Sequence, residues 1–174
     1  MANMNEIPPS TGEPDAEVNA APQPFKSGVQ FLAFGMGSGL SPKAPGTAGT
    51  LAAIPLYLLL AQLPLWQYSV AVLLLLLAGI YICDAASKQL GVHDHPGIVW
   101  DEFVGLWIAL WAVPVSLPWI IAGFVAFRVF DILKPWPISW LDEHVDGGLG
   151  IMIDDVVAGV MACLCLHISV SVLS

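Results

Sequence analysis

Two pairs of adjacent carboxylates, Asp101-Glu102 and Asp154-Asp155, and a single acid, Asp131, stand at the edges of apolar stretches of this chain. An ionised side chain inside hydrocarbon costs at least ~2.5 kcal/mol by insertion scales, so acids at such places mark a functional site or sit at an interface. Asp101-Glu102 precedes the run Phe103 to Trp111, Asp131 follows Phe124 to Phe130, and Asp154-Asp155 stands at the entrance to the last apolar stretch. Acidic clusters at three hydrophobic boundaries point to one shared site. Carboxylates are hard oxygen ligands, and Mg²⁺ takes few of them while keeping several waters, which suits Asp-Glu and Asp-Asp pairs meeting at a wet surface.

A second signal is the loop Gly37-Ser38-Gly39-Leu40-Ser41-Pro42-Lys43-Ala44-Pro45-Gly46-Thr47-Ala48-Gly49-Thr50, which opens directly into an apolar span. It reads as an anion cradle. Gly46 and its neighbouring glycines allow close backbone approach, Thr47 or Thr50 can cap the helix, free amides and the helix dipole favour a phosphate group, and Lys43 adds positive charge. It is not a Walker loop, because the Gly-Lys-Ser/Thr order is missing. The competing reading is a glycine-rich turn that lets two helices pack. Arg128 and Lys134 are further phosphate-binding candidates, although Arg128, three residues before Asp131, has the spacing to pair with it instead.

Other phosphate chemistries are excluded by what the chain lacks. A thiol nucleophile needs an Arg six residues on, and Cys83, Cys163 and Cys165 are followed there by Gln89, Ser169 and Ser171. There is no Asp-x-Asp nucleophile pair and no His beside an Arg-rich motif. Carboxylate-bound Mg²⁺ activating water remains. The cysteines read as buried reduced thiols. His93 and His95 flank Asp94 in a loop, where solvated histidines are commoner than ligands, and His167 lies deep in the last span as a packing residue. Asp84 and Lys88 have the spacing of a local ion pair.

The elements that must position these groups are membrane helices. The chain has 174 residues, of which 57% are hydrophobic and 11% charged, with a mean hydropathy of +0.77. That composition describes an all-α, polytopic membrane bundle formed by one domain over 25–174. A net charge of −9 argues against nucleic acid and requires metal ions between the protein and any anionic substrate. Residues 1–24, rich in proline and acid, read as a disordered tail without the basic and apolar regions of a secretory signal.

Five spans are expected: Thr47 to Leu63, Trp66 to Cys83, Ile98 to Val113, Leu117 to Leu133 and Met152 to Leu173. The apolar, glycine-rich stretch from Gly28 to Leu40 is too short for a crossing and fits an interfacial or re-entrant segment. Most tryptophans fall near span ends, as in an interfacial belt. The turns at 63–65 and 114–118 carry no charge, whereas Lys26, Lys43, Lys88, Arg128 and Lys134 lie on the other side. The positive-inside rule makes that side cytoplasmic, with the N-terminus inside and the acids gathered in the cytoplasmic leaflet. A membrane cation transporter is the rival reading, since intramembrane acids also build ion pathways. Transport predicts acids at mid-depth, and Val70 to Leu77 and Val156 to Leu166 contain none.

The segments Gly37 to Thr50, Ile98-Val-Trp-Asp-Glu-Phe-Val-Gly105, Phe127-Arg-Val-Phe-Asp-Ile-Leu-Lys-Pro-Trp-Pro-Ile138 and Gly147-Gly-Leu-Gly-Ile-Met-Ile-Asp-Asp-Val-Val-Ala-Gly159 resemble the phosphatidylglycerophosphatase A family. The likeness runs over about residues 28 to 173, and its motifs are specific as a set. It implies a Mg²⁺-dependent lipid phosphatase of the bacterial inner membrane that converts phosphatidylglycerophosphate to phosphatidylglycerol. With the residue pattern, it assigns Asp101, Glu102, Asp154 and Asp155 to Mg²⁺ and Asp131 to orienting water or acting as base. Asp101, Glu102 and Asp131 then form the catalytic set. Lys43, Arg128 and Lys134 neutralise the phosphate, while the acyl chains stay in the bilayer.

Overall fold

The computed structural model describes residues 21–173, which form helices and no strand. The tail expected over 1–24 falls, up to residue 20, outside the described residues. In chain order the helices are α1 Gly28–Ala33, α2 Pro45–Leu60, α3 Leu65–Leu90, α4 Trp100–Ala109, α5 Leu117–Leu133, α6 Ile138–His144 and α7 Gly147–Leu173, with a 3₁₀ turn Gly35–Leu40 between α1 and α2. That turn contains left-handed Met36 and Gly37, so the stretch from Gly28 to Leu40 is folded back on itself rather than extended as a crossing.

Proline and glycine set most of the boundaries. Pro45 opens α2 at the first helical position, where a missing N–H costs nothing. Pro64 separates α2 from α3, and Gly91, at φ +69°, ends α3 with its N–H bonded to the Ser87 carbonyl. Helix α5 stops at Lys134 because Pro135 disfavours helical backbone in the residue before it.

The short helix α4 is the core of the molecule. Beyond its acidic first turn it is apolar on all sides, and a helix of that kind belongs in the interior. It packs against α7, α2, α3 and α5, with Phe103, Val104, Leu106 and Trp107 fully enclosed. The polar handles buried with it are satisfied: Trp107 Nε1 donates to the Ala53 carbonyl at 3.1 Å, Tyr68 Oη donates to the Trp107 carbonyl at 2.6 Å, and Trp100 Nε1 donates to the Leu75 carbonyl at 3.2 Å. Trp100 and Trp107 are therefore core residues, contrary to the expected interfacial belt, while Trp66 and Trp136 are exposed.

The five expected spans coincide with helices, but not all as crossings. Among the described residues, only α3 and α7 are long and apolar enough to traverse a membrane, and α2 is a shorter apolar helix. The ten residues of α4 rise only ~15 Å, half the ~30 Å of hydrocarbon. Its apolarity reflects burial inside the protein, which hydropathy alone does not distinguish from burial in lipid.

Helices α4 and α7 touch backbone to backbone. A Cβ on Gly159 would sit 2.5 Å from the Gly105 carbonyl oxygen, and one on Gly105 would sit 3.0 Å from the Asp155 carbonyl oxygen. Only glycine permits this approach. Its consequence is to bring the start of α4 beside the acids of α7.

Candidate active site

Asp154 and Asp155 lie ~12 Å along α7 from its start, at the level where α4 begins. The start of α2 and the end of α5 meet at the same place, around a cavity of about 390 Å³. Ala44, Pro45 and Gly46 of the α2 entrance line it, with Asp94 and Pro96 from the α3–α4 connection and Asp101 and Glu102 from α4. Helix α5 adds Arg128, Asp131 and Ile132, its end adds Lys134, and α7 adds Asp154 and Asp155. Four sequence-distant segments thus build one site, as the acid pattern predicts.

At its base, one carboxylate oxygen each from Asp101, Glu102 and Asp155 lie within 4.8 Å of one another. Asp101 Oδ1, Glu102 Oε2 and Asp155 Oδ2 are buried and have no hydrogen-bond partner. Buried anionic oxygens without donors are costly unless a cation satisfies them. The hard, all-oxygen donor set fits Mg²⁺.

Facing this trio is Arg128. Its guanidinium forms an ion pair with Asp131 on the same helix and lies 3.8 Å from Glu102, all three side chains being largely enclosed. Nη1 makes that ion pair without the alignment of a hydrogen bond, and Nε is buried with no acceptor. A guanidinium with an unused donor in the wall of a cavity suits a phosphate oxygen. The α2 entrance adds more donors: Pro45 has no N–H, so the free first-turn amides are those of Gly46 and Thr47.

On the opposite wall Lys134 Nζ donates to Asp154 Oδ2 at 2.8 Å and to Asp142 Oδ1 at 2.6 Å. Partial burial works against its charge, but the hydrogen bonds to the two carboxylates outweigh it and hold the ammonium above the ordinary lysine range. Asp154 Oδ1 also accepts the Asp155 N–H at 2.9 Å. Both oxygens of Asp154 are thus engaged, and it stands apart from the trio although the sequence places it among the ligands.

The glycine-rich loop departs from its expected role. Lys43 is exposed and does not line the cavity, and its carbonyl accepts from Ser41 Oγ at 2.8 Å. Helix α2 has no side-chain cap: the N-cap is Ala44, Thr47 lies in the first turn outside the lining, and buried Thr50 donates to the Gly46 carbonyl at 2.8 Å. Of the loop glycines, Gly39 packs against the Gly97 carbonyl, where a Cβ would sit 2.0 Å away. Most of the loop therefore serves packing, and Ala44 to Gly46 is the part that meets the site.

The loop histidines and the histidine of the last span are held by backbone contacts. His93 Nε2 accepts the Gly147 N–H at 2.8 Å, His95 Nδ1 accepts the Gly97 N–H at 3.0 Å, and His167 Nε2 meets the Trp111 carbonyl at 3.0 Å. Asp84 pairs with Lys88 at 2.7 Å, away from the cavity. Two acids escaped the sequence reading. Asp94 lines the cavity and Asp142 anchors Lys134, yet each sits in a polar segment where a solvated acid carries no signal.

Residues 31–170 match the family model for phosphatidylglycerophosphatase A. Over 138 residues the chain is 55% identical to phosphatidylglycerophosphatase A of Escherichia coli K12, covering 79% of this chain and 80% of that protein. It is 49% identical over 138 residues to the phosphatidylglycerophosphatase A of Haemophilus influenzae, covering 78% of this chain and 85% of that one. A Bacteroides thetaiotaomicron protein described as a candidate phosphatidylinositol-3-phosphatase is 43% identical over 147 residues, covering 80% of this chain and 91% of its own. No solved structure matches the chain. None of these relatives is described as a transporter, and the rival reading gains no support. The motifs that converge on the cavity all fall within the matched region, and the chain belongs to the phosphatidylglycerophosphatase A family.

Proposed function

We propose that this chain hydrolyses the terminal phosphomonoester of phosphatidylglycerophosphate to phosphatidylglycerol and phosphate, with Mg²⁺ held by Asp101, Glu102 and Asp155. The observation that carries this reading is the juxtaposition, around one cavity, of three donorless carboxylate oxygens and the Arg128 guanidinium, whose Nε has no acceptor. The trio lacks a cation and Arg128 keeps an unused donor beside its ion pair with Asp131, and a divalent cation with a phosphate completes both. The names of the relatives supply the lipid.

The chain's own groups divide the work. The Arg128 guanidinium and the Gly46 amide hold the phosphoryl oxygens, where charge grows as the P–O bond loosens. Asp131, fixed by Arg128, orients the attacking water and takes its proton. Lys134 holds Asp154 in place and adds positive potential. Mg²⁺ at the trio supplies Lewis-acid charge to the phosphate and the attacking water.

The setting is a bacterial inner membrane, with α3 and α7 as spanning helices and the cavity toward the cytoplasm, where the basic residues gather. Helices α2 and α5, with 16 and 17 residues, rise ~25 Å, short of the ~30 Å of hydrocarbon, and pack beside the two spanning helices.

Phosphate release by the purified protein tests the proposal directly. Release from phosphatidylglycerophosphate is expected to require Mg²⁺, to stop with EDTA and to return with excess Mg²⁺. Undiminished release in EDTA overturns the metal assignment; no release from any lipid phosphate, phosphatidylinositol 3-phosphate included, overturns the activity.

Gly46→Ala probes the geometry. A Cβ there would sit 2.3 Å from Glu102 Oε1 and 3.1 Å from Arg128 Nη1. Alanine favours a helix over glycine by ~1 kcal/mol, so the fold is expected to hold. Displacing Glu102 by an ångström is expected to cost about 100-fold in kcat/KM. A melt in detergent alongside the phosphate assay separates the two effects.

A further inference from the structure

We infer that an acyl chain of the lipid substrate lies along the outward face of α5 and reaches the cavity past Ile132. The inference rests on the phosphatase reading and specifies how a membrane-embedded substrate meets the site. Leu117, Ile121, Val125, Val129 and Ile132 are exposed apolar side chains, and their spacing places them on one face of α5. At its end this stripe runs into the site: Ile132 is 66% exposed and also lines the cavity. Among the described residues it is the one large apolar side chain with both properties. The outward stripes of α3, from Val70 to Leu77, and of α7, from Val160 to Val172, contribute no residue to the cavity.

Chemistry on α5 is sorted by face. Arg128 and Asp131 point into the cavity and Val129 and Ile132 point out, so phosphate ligand and apolar track sit at the same height and about a quarter-turn apart. A phosphomonoester lipid has the same division, a dianionic head joined through glycerol to hydrocarbon. With its phosphate on Arg128, its glycerol lies beside Ile132 and its chain continues along Val129 and Val125 without leaving apolar surroundings. Exposed Asp94 and Pro96 of the α3–α4 connection also line the cavity, and no large exposed apolar side chain of that connection accompanies them.

Kinetics with two chain lengths test this. Long-chain phosphatidylglycerophosphate in mixed micelles and its dihexanoyl analogue in solution are compared for the parent and for Ile132→Asn, Val129→Asn and Ile132→Leu. The ratio of kcat/KM, long over short, is expected to fall about tenfold in Ile132→Asn. Val129→Asn shifts it in the same direction, and Ile132→Leu keeps it. Leu74→Asn, on the outward stripe of α3, controls for a general effect of a polar side chain at the lipid surface and leaves the ratio at the parental value. An unchanged ratio in both asparagine variants of α5, or an equal fall in Leu74→Asn, overturns the inference while the phosphatase reading stands. Silence of the parent on both substrates overturns that reading and this inference with it.

Discussion

Asp155→Asn is expected to abolish phosphate release while leaving the protein folded and at least as stable in metal-free buffer. The side chain is 3% exposed, and its Oδ2 accepts no hydrogen bond. An amide of the same shape therefore breaks nothing the carboxylate makes at that atom. The trio lies within 4.8 Å, and two ionised carboxylates at such a separation repel by roughly 3.5 kcal/mol at an effective dielectric of ~20. Removing one charge relieves that repulsion. On the proposed mechanism it also removes a ligand of the Mg²⁺, and a loss of about 1,000-fold or more in kcat is expected. Activity and stability thus move in opposite directions, which a residue needed only for packing would not produce. The checks are a phosphate assay at saturating Mg²⁺ and a thermal melt with and without Mg²⁺, where the parent is stabilised by the ion and the variant is not. Parental turnover by folded Asp155→Asn would sink the site.

Arg128 carries the second large effect. Arg128→Ala strips the cation from Asp131 and Glu102, both largely enclosed, and uncompensated buried charge costs ~3–5 kcal/mol. This variant is expected to fold poorly. Arg128→Lys is the informative change, because it restores the charge beside Asp131 but not the planar fork that Arg128 brings to the cavity wall. It is expected to melt near the parental temperature and to lose about 100- to 1,000-fold in kcat/KM, the range for removing one preorganised donor to developing charge. Parental kcat/KM in Arg128→Lys would show that the residue serves only as the counter-ion of Asp131.

The difference between Lys43 and Lys134 shows how far residue type alone can be read. Both are cations next to a helix end, and both are phosphate-binding candidates by residue type. Lys134 is carried into the cavity because Pro135 ends α5 at that level, and the left-handed turn aims the side chain across to α6 and α7. Lys43 precedes Pro45 and the start of α2, and its side chain remains at the surface. Asp154 and Asp155 make the same point from adjacent positions. Neighbours on a helix point ~100° apart, so one is drawn into hydrogen bonds with Lys134 and the Asp155 amide while the other faces α4.

The acids at apolar boundaries, the prolines and glycines that end the helices, and the all-helical character were determined by sequence alone. They follow from local rules: charge avoids hydrocarbon, proline lacks an amide hydrogen, and long apolar runs satisfy their own backbone as helices. The family was legible too, because its motifs are contiguous. Three things awaited the tertiary structure. Helix α4 is a buried core helix too short to cross, because hydropathy measures removal from water and not whether protein or lipid replaces it. The metal-type trio is Asp101, Glu102 and Asp155, selected from the acids by the glycine contact between α4 and α7, a distance between residues about fifty apart in the chain. Which face of α5 meets the site, placing Arg128 inside and Ile132 at the rim, depends on the rotation of the helix about its axis, and that is set by what packs against it.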